Sequence, residues 1–128
     1  MPLFDLKPTK AKQVTNPTSN APSPDKPNFM KEGQFTTEEE PIAALIQQRR
    51  IQMLIHSRLY YKCDYNVVSD MKFDKWAREL AELQKKHPTI ASRVCFAEAF
   101  EDWDGSTGAF LPLDHPWVVY KVRKSYGR

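Results

Sequence analysis

Between residues 42 and 83 apolar side chains recur in steps of three and four, the period of an α-helix. In TTEEEPIAALIQQRRIQMLIHSRLYY, residues 36–61, Ile42, Ile46 and Met53 fall on one side and Ile51, Ile55 and Leu59 on nearly the opposite side. A helix that is apolar on two sides packs between other elements, so this segment is expected to be the central helix. Thr37 and Glu40 have the spacing of a capping box. Glu38, Glu39 and Glu40 suit the positive end of the helix dipole, and Pro41 suits the first turn. The second periodic stretch is SDMKFDKWARELAELQKKHP, residues 69–88. Ser69 is its expected N-cap, and Phe73, Trp76, Leu80 and Leu83 form a single stripe. Lys75–Glu79 and Arg78–Glu82 read as i,i+4 pairs on a solvated face, and Pro88 ends the helix.

After Pro88 the pattern weakens. TIASRVCFAEAFEDW, residues 89–103, reads as a third helix, and DGSTGAFLPLD as a loop. HPWVVYKVRKSY reads as a short last helix capped by Asp114, with Pro116 in its first turn. The run Trp117, Val118, Val119, Tyr120 and Val122 is also β-prone, so a strand is the alternative there. Before residue 36 the pattern is absent. Pro, Lys, Thr, Ser and Asn dominate, and almost no large apolar residue follows Leu6, so burial cannot offset the ordering entropy. The expected organisation is a disordered arm over residues 1–35 and one helical module over 36–128. That module is all-α, a small bundle of three to four helices built on an antiparallel pair. Leu3, Phe4 and Leu6 interrupt the polar arm and suit either a docking motif for a protein partner or a return onto the core.

Composition narrows the function classes. The chain has 128 residues, one domain at most, and a formal net charge of +3, too small to imply nucleic acid on its own. No apolar run approaches the roughly 18 residues of a membrane span, and the N-terminus lacks a secretory pattern. Cys63 and Cys95 have no metal-ligand spacing and read as reduced thiols, so a cytoplasmic location is expected. His56, His87 and His115 show no metal spacing either. DGSTG, residues 104–108, suits a plain turn far better than a phosphate-cradling nest. Lys121, Arg123, Lys124 and Arg128 make a basic tail able to touch nucleic acid, or an ordinary basic final turn. No nucleophile–base pair or metal set is visible, so the chain is not expected to be an enzyme by itself.

The informative constellation lies at the junction of the first two helices. Tyr60 and Tyr61 end one; Asp70, Phe73 and Asp74 open the other. Asp70 and Asp74 are one turn apart and share a face. Two carboxylates there favour a cation or a sugar hydroxyl over a phosphate, and aromatic faces favour a flat cation. The same five residues also have bland readings, as first-turn acids and half-buried packing aromatics.

Tyr60–Tyr61, then Asp64, then VVSDMKFD and RELAELQKKHP, resemble the small N-terminal helical domain of NAD-dependent DNA ligases. That family shows an aromatic pair, a ten-residue step to Asp, then Asp-x-x-Tyr-Asp and a leucine-rich helix ending in His-Pro. The resemblance covers roughly residues 42–90. It implies that Tyr60, Tyr61, Asp70, Phe73 and Asp74 contact the nicotinamide mononucleotide (NMN) half of NAD. Phe73 stands where the family has Tyr, which keeps the aromatic wall and loses a hydroxyl hydrogen bond worth about 1 kcal/mol. The adenylation domain, its Lys-x-Asp-Gly motif and the zinc ligands of the ligases have no counterpart here, and KCDY at Lys62 lies in the helix link. The resemblance thus implies a non-catalytic binding module for NMN or NAD, or a companion subunit of an adenylyltransferase or ligase. The alternative is a phage or mobile-element interaction protein, working in the bacterial host cytoplasm. It would reuse the fold, without cofactor, to bind or inhibit a host protein or nucleoprotein.

Overall fold

The computed structural model describes residues 27–128, and among them every regular element is helical. Helix α1 spans Glu40–Tyr61, α2 Asp70–Lys86, α3 Pro88–Ala91 and α4 Pro116–Tyr126. The arrangement is all-α, as the periodicity implied. Leu3, Phe4 and Leu6 lie outside the described residues. Residues 27–35, assigned to the arm on composition, pack on the helices. Phe35 is buried, Phe29 meets Trp117 edge-on at 5.2 Å, and the Met30 amide donates to Gln47 Oε1 at 3.0 Å.

Local chemistry sets the helix ends. A reciprocal pair of bonds opens α1: the Glu39 amide donates to Thr36 Oγ1, and the Thr36 amide donates to Glu39 Oε1, both at 3.1 Å. This is capping-box chemistry one residue earlier than the Thr37–Glu40 spacing suggested. At the far end Asp64 adopts φ 53°, a left-handed conformation that Asp tolerates better than most residues, and the chain turns into the link. Ser69 caps α2 as expected, its Oγ accepting from the Lys72 amide at 3.1 Å. The cap of α4 is His115, not Asp114. His115 Nδ1 accepts from the Trp117 amide at 3.1 Å, which places the ring proton of the neutral form on Nε2. Asp114 instead accepts from Arg58 at 2.9 Å and lies 3.7 Å from Lys62, tying the start of α4 to the end of α1. The β-strand alternative is not realised.

α1 is the central helix and touches α2, α3 and α4. It runs antiparallel to α2. Arg49 pairs with Glu79 at 2.7 Å, Arg50 meets Gln84 at 2.8 Å, and the rings of His56 and Trp76 lie 5.5 Å apart. Glu79 is therefore spent between helices, where the i,i+4 reading had placed it on a solvated face. The core is apolar on both sides of α1, with Ile46, Met53, Leu54 and Leu59 facing Leu80, Phe100, Trp117, Val118 and Val122.

The expected third helix over residues 89–103 is broken after Ala91. Its cause is tertiary. Arg50, only 2% exposed, donates to the carbonyls of Ala91, Val94 and Cys95 at 2.9–3.0 Å, so these groups are drawn inward, which favours a turn over a continuous helix. Phe96 then takes φ 64°, and residues 97–103 continue as turns with amide bonds of 3.3–3.4 Å. Burial lowers the Arg50 pKa to about 10, against a raising effect from the Cys95 sulfur, and burial pushes the Cys95 thiol up to about 11. Cys95 is thus an inert thiol at neutral pH.

Candidate functional site

The helix ends that meet at the α1–α2 junction do not fill the space between them. A cleft of about 250 Å³ remains there, and Tyr60, Tyr61, Asp70, Phe73 and Asp74 all line it. The antiparallel pairing accounts for this convergence. It sets the last turn of α1 beside the first turns of α2, and the capping of Ser69 fixes where α2 begins. Asp70 and Asp74 then share the cleft-facing side, one turn apart. Among the described residues neither carboxylate pairs with a basic side chain. Tyr60 and Tyr61 stand edge to face, with ring centroids 4.8 Å apart and planes at 88°. Phe73 is half-buried and packs on the core, so it serves as wall and anchor together.

Sequence reasoning missed part of the lining. His56, Tyr65, Ser106 and Thr107 also border the cleft, with Asn66, Val67 and Val68 of the link. His56 lies one turn before Tyr60, and that spacing was available in the sequence. Burial lowers its pKa below the ordinary value, its buried Nδ1 has no partner among the described residues, and its ring contacts those of Trp76 and Tyr126. Tyr65 is covered by the Arg128 guanidinium, 3.9 Å from its ring centroid. Arg128, read from the sequence as part of a free basic tail, is thus folded back at the cleft rim.

The DGSTG loop contributes the remaining wall. It is a turn, as its composition suggested, with the Ser106 amide donating to Asp104 Oδ1 at 2.9 Å. Hydrogen bonding from the Ser106 side chain, and after it from this amide, holds the Asp104 carboxyl below its usual pKa. Two glycines let the loop lie against both helices. A Cβ on Gly105, already at φ 86°, would sit 3.0 Å from the Ala77 carbonyl of α2. A Cβ on Gly108 would sit 1.9 Å from Ser57 Oγ of α1. Between them, Thr107 Oγ1 lies 3.0 Å from the Tyr61 hydroxyl and accepts from the Ala109 amide at 3.1 Å. The Trp103 indole N–H donates to the Thr107 carbonyl at 2.6 Å.

Chemically, the cleft offers aromatic faces, hydroxyls and two carboxylates that form no ion pair among the described residues. Aromatic faces attract flat cations, and carboxylates accept from hydroxyl donors. Among the described residues no cluster of His, Cys, Asp and Glu could hold a metal ion, and no helix is long and apolar enough to cross a membrane.

Residues 39–93 match the family model described as the DNA ligase-like, N-terminal NAD+-binding domain. The match takes in α1, the link, α2 and α3, and so every cleft residue except Ser106 and Thr107. No solved structure matches the chain significantly.

Proposed function

Since its residues 39–93 are a relative of the NAD+-binding N-terminal domain of DNA ligase-like proteins, we propose that this protein is a binding module for NMN or the NMN half of NAD. The observation that carries the reading is the convergence of Tyr60, Tyr61, Asp70, Phe73 and Asp74 on one cleft whose two carboxylates form no ion pair among the described residues. The pyridinium ring is flat and cationic and suits the aromatic walls. The ribose hydroxyls are donors and suit Asp70 and Asp74. The cleft volume is just below the roughly 300–1,000 Å³ usual for sites that enclose a whole drug-sized ligand. A cleft of that size suits part of such a ligand, the ring and its sugar, better than a whole dinucleotide. The role is recognition and orientation, as an isolated sensor or as a companion to an adenylyltransferase.

Calorimetric or NMR titration of the full chain with NMN and with NAD tests this reading. Saturable binding is expected, weakened at least about tenfold by Asp70→Ala or Asp74→Ala, the loss of a charged hydrogen bond. Silence up to millimolar ligand would remove the cofactor reading.

A second reading, an interaction module for a protein partner with no cofactor, is favoured by Phe110 and Met71, which are 91% and 80% exposed. Its check is crosslinking in the native host: a partner captured equally well by the wild type and by Phe110→Ser would count against that surface.

A further inference from the structure

We infer that the loop of residues 104–108, outside the family match, is a working wall of the cleft, and that Thr107 is a positioning residue acting on the ligand through Tyr61. The inference rests on the NMN reading above and extends it to a part of the chain that the family relationship does not reach.

Three observations carry it. First, the loop is anchored from three directions. Gly105 lies against α2, Gly108 against α1, and Trp103 holds the Thr107 carbonyl with a 2.6 Å bond. Trp103 in turn packs edge-on against the buried Phe100 at 5.1 Å, so the anchor is rooted in the core. Second, Thr107 spends its hydroxyl locally. The Ala109 amide occupies one of its lone pairs, and the Tyr61 hydroxyl is its other partner. A threonine held in this way fixes where the Tyr61 ring points. Third, Tyr61 sets Tyr60 through the edge-to-face contact, so one hydroxyl organises the whole aromatic pair. A tyrosine at the end of a helix is otherwise free to sample rotamers. Ordering it before the ligand arrives removes an entropic cost of binding.

The loop also explains how a helical pair makes an enclosed site. α1 and α2 supply two walls and the link supplies the third. Ser106 and Thr107 close the side that the matched segment leaves open.

The test is a set of NMN titrations on the full chain, each variant first checked for unchanged far-UV circular dichroism and melting temperature. Thr107→Val keeps the shape and removes the hydroxyl; it should weaken NMN about fivefold. Thr107→Ser keeps the hydroxyl and should bind as the wild type does. The double variant Tyr61→Phe with Thr107→Val should bind no worse than Tyr61→Phe alone, because the two groups act as one unit. Equal binding by wild type and Thr107→Val, or additive losses in the double variant, would overturn the inference while leaving the NMN reading intact. A wild-type chain that binds no NMN would overturn both.

Discussion

Two polar constellations flank α1, and they are opposites. Around Arg50 four of the five guanidinium N–H groups are used: they tie it to Gln84 and to three main-chain carbonyls, and the Phe100 ring lies 5.6 Å from it. Near the C-terminal end of the helix Asp70 and Asp74 face a cleft, and among the described residues neither forms an ion pair. Both are polar groups beside aromatic rings, so residue type does not tell them apart. Partner count does. A buried charge whose donors are satisfied within the chain is architecture. Carboxylates that form no ion pair among the described residues, set against aromatic walls, are what the proposed binding role would draw on.

That contrast makes unequal demands on stability. The largest effect is expected at the closed site. Arg50→Ala takes the side-chain donor from the carbonyls of Ala91, Val94 and Cys95 and opens a cavity, a loss of about 4 kcal/mol. Urea denaturation measures it, and a loss below about 1 kcal/mol would show that water replaces the guanidinium at little cost. The same measurement on Asp70→Ala and Asp74→Ala should move stability by no more than about 0.5 kcal/mol, since both side chains are exposed. A large loss there would erase the distinction between the two constellations. The smallest effect is a pH slope from His56. Burial lowers its folded-state pKa below 6.5, so the unfolded chain binds more protons in weak acid. Stability should be full above pH 6.5 and decline as pH falls below it. His56→Gln should flatten that slope between pH 7 and pH 5, while a slope unchanged in the variant would assign it to other groups.

The fold was legible where local chemistry decides it. Ser69 caps α2 because its hydroxyl meets the nearest free amide, and the stripe of Phe73, Trp76, Leu80 and Leu83 lies against the core. The five cleft residues were legible because helix periodicity and a short link bring them together. What was not legible depends on distant partners. Residues 89–103 have helical composition, yet Arg50 takes their carbonyls from 41 to 45 positions away. Asp114 is a good cap by type, but two basic residues at the end of α1 claim it. Thr107 carries no periodic signal. Only the close approach allowed by Gly105 and Gly108 brings it to Tyr61.

The Tyr61–Thr107 contact joins residues 46 apart in sequence. Such a contact forms only after a long stretch of chain has surrendered its freedom, so it gains little from early local order. The helices on either side of the cleft need no such wait. Enclosing the cleft therefore carries a larger loop-closure cost than pairing α1 with α2, whose Arg49–Glu79 bond spans 30 positions.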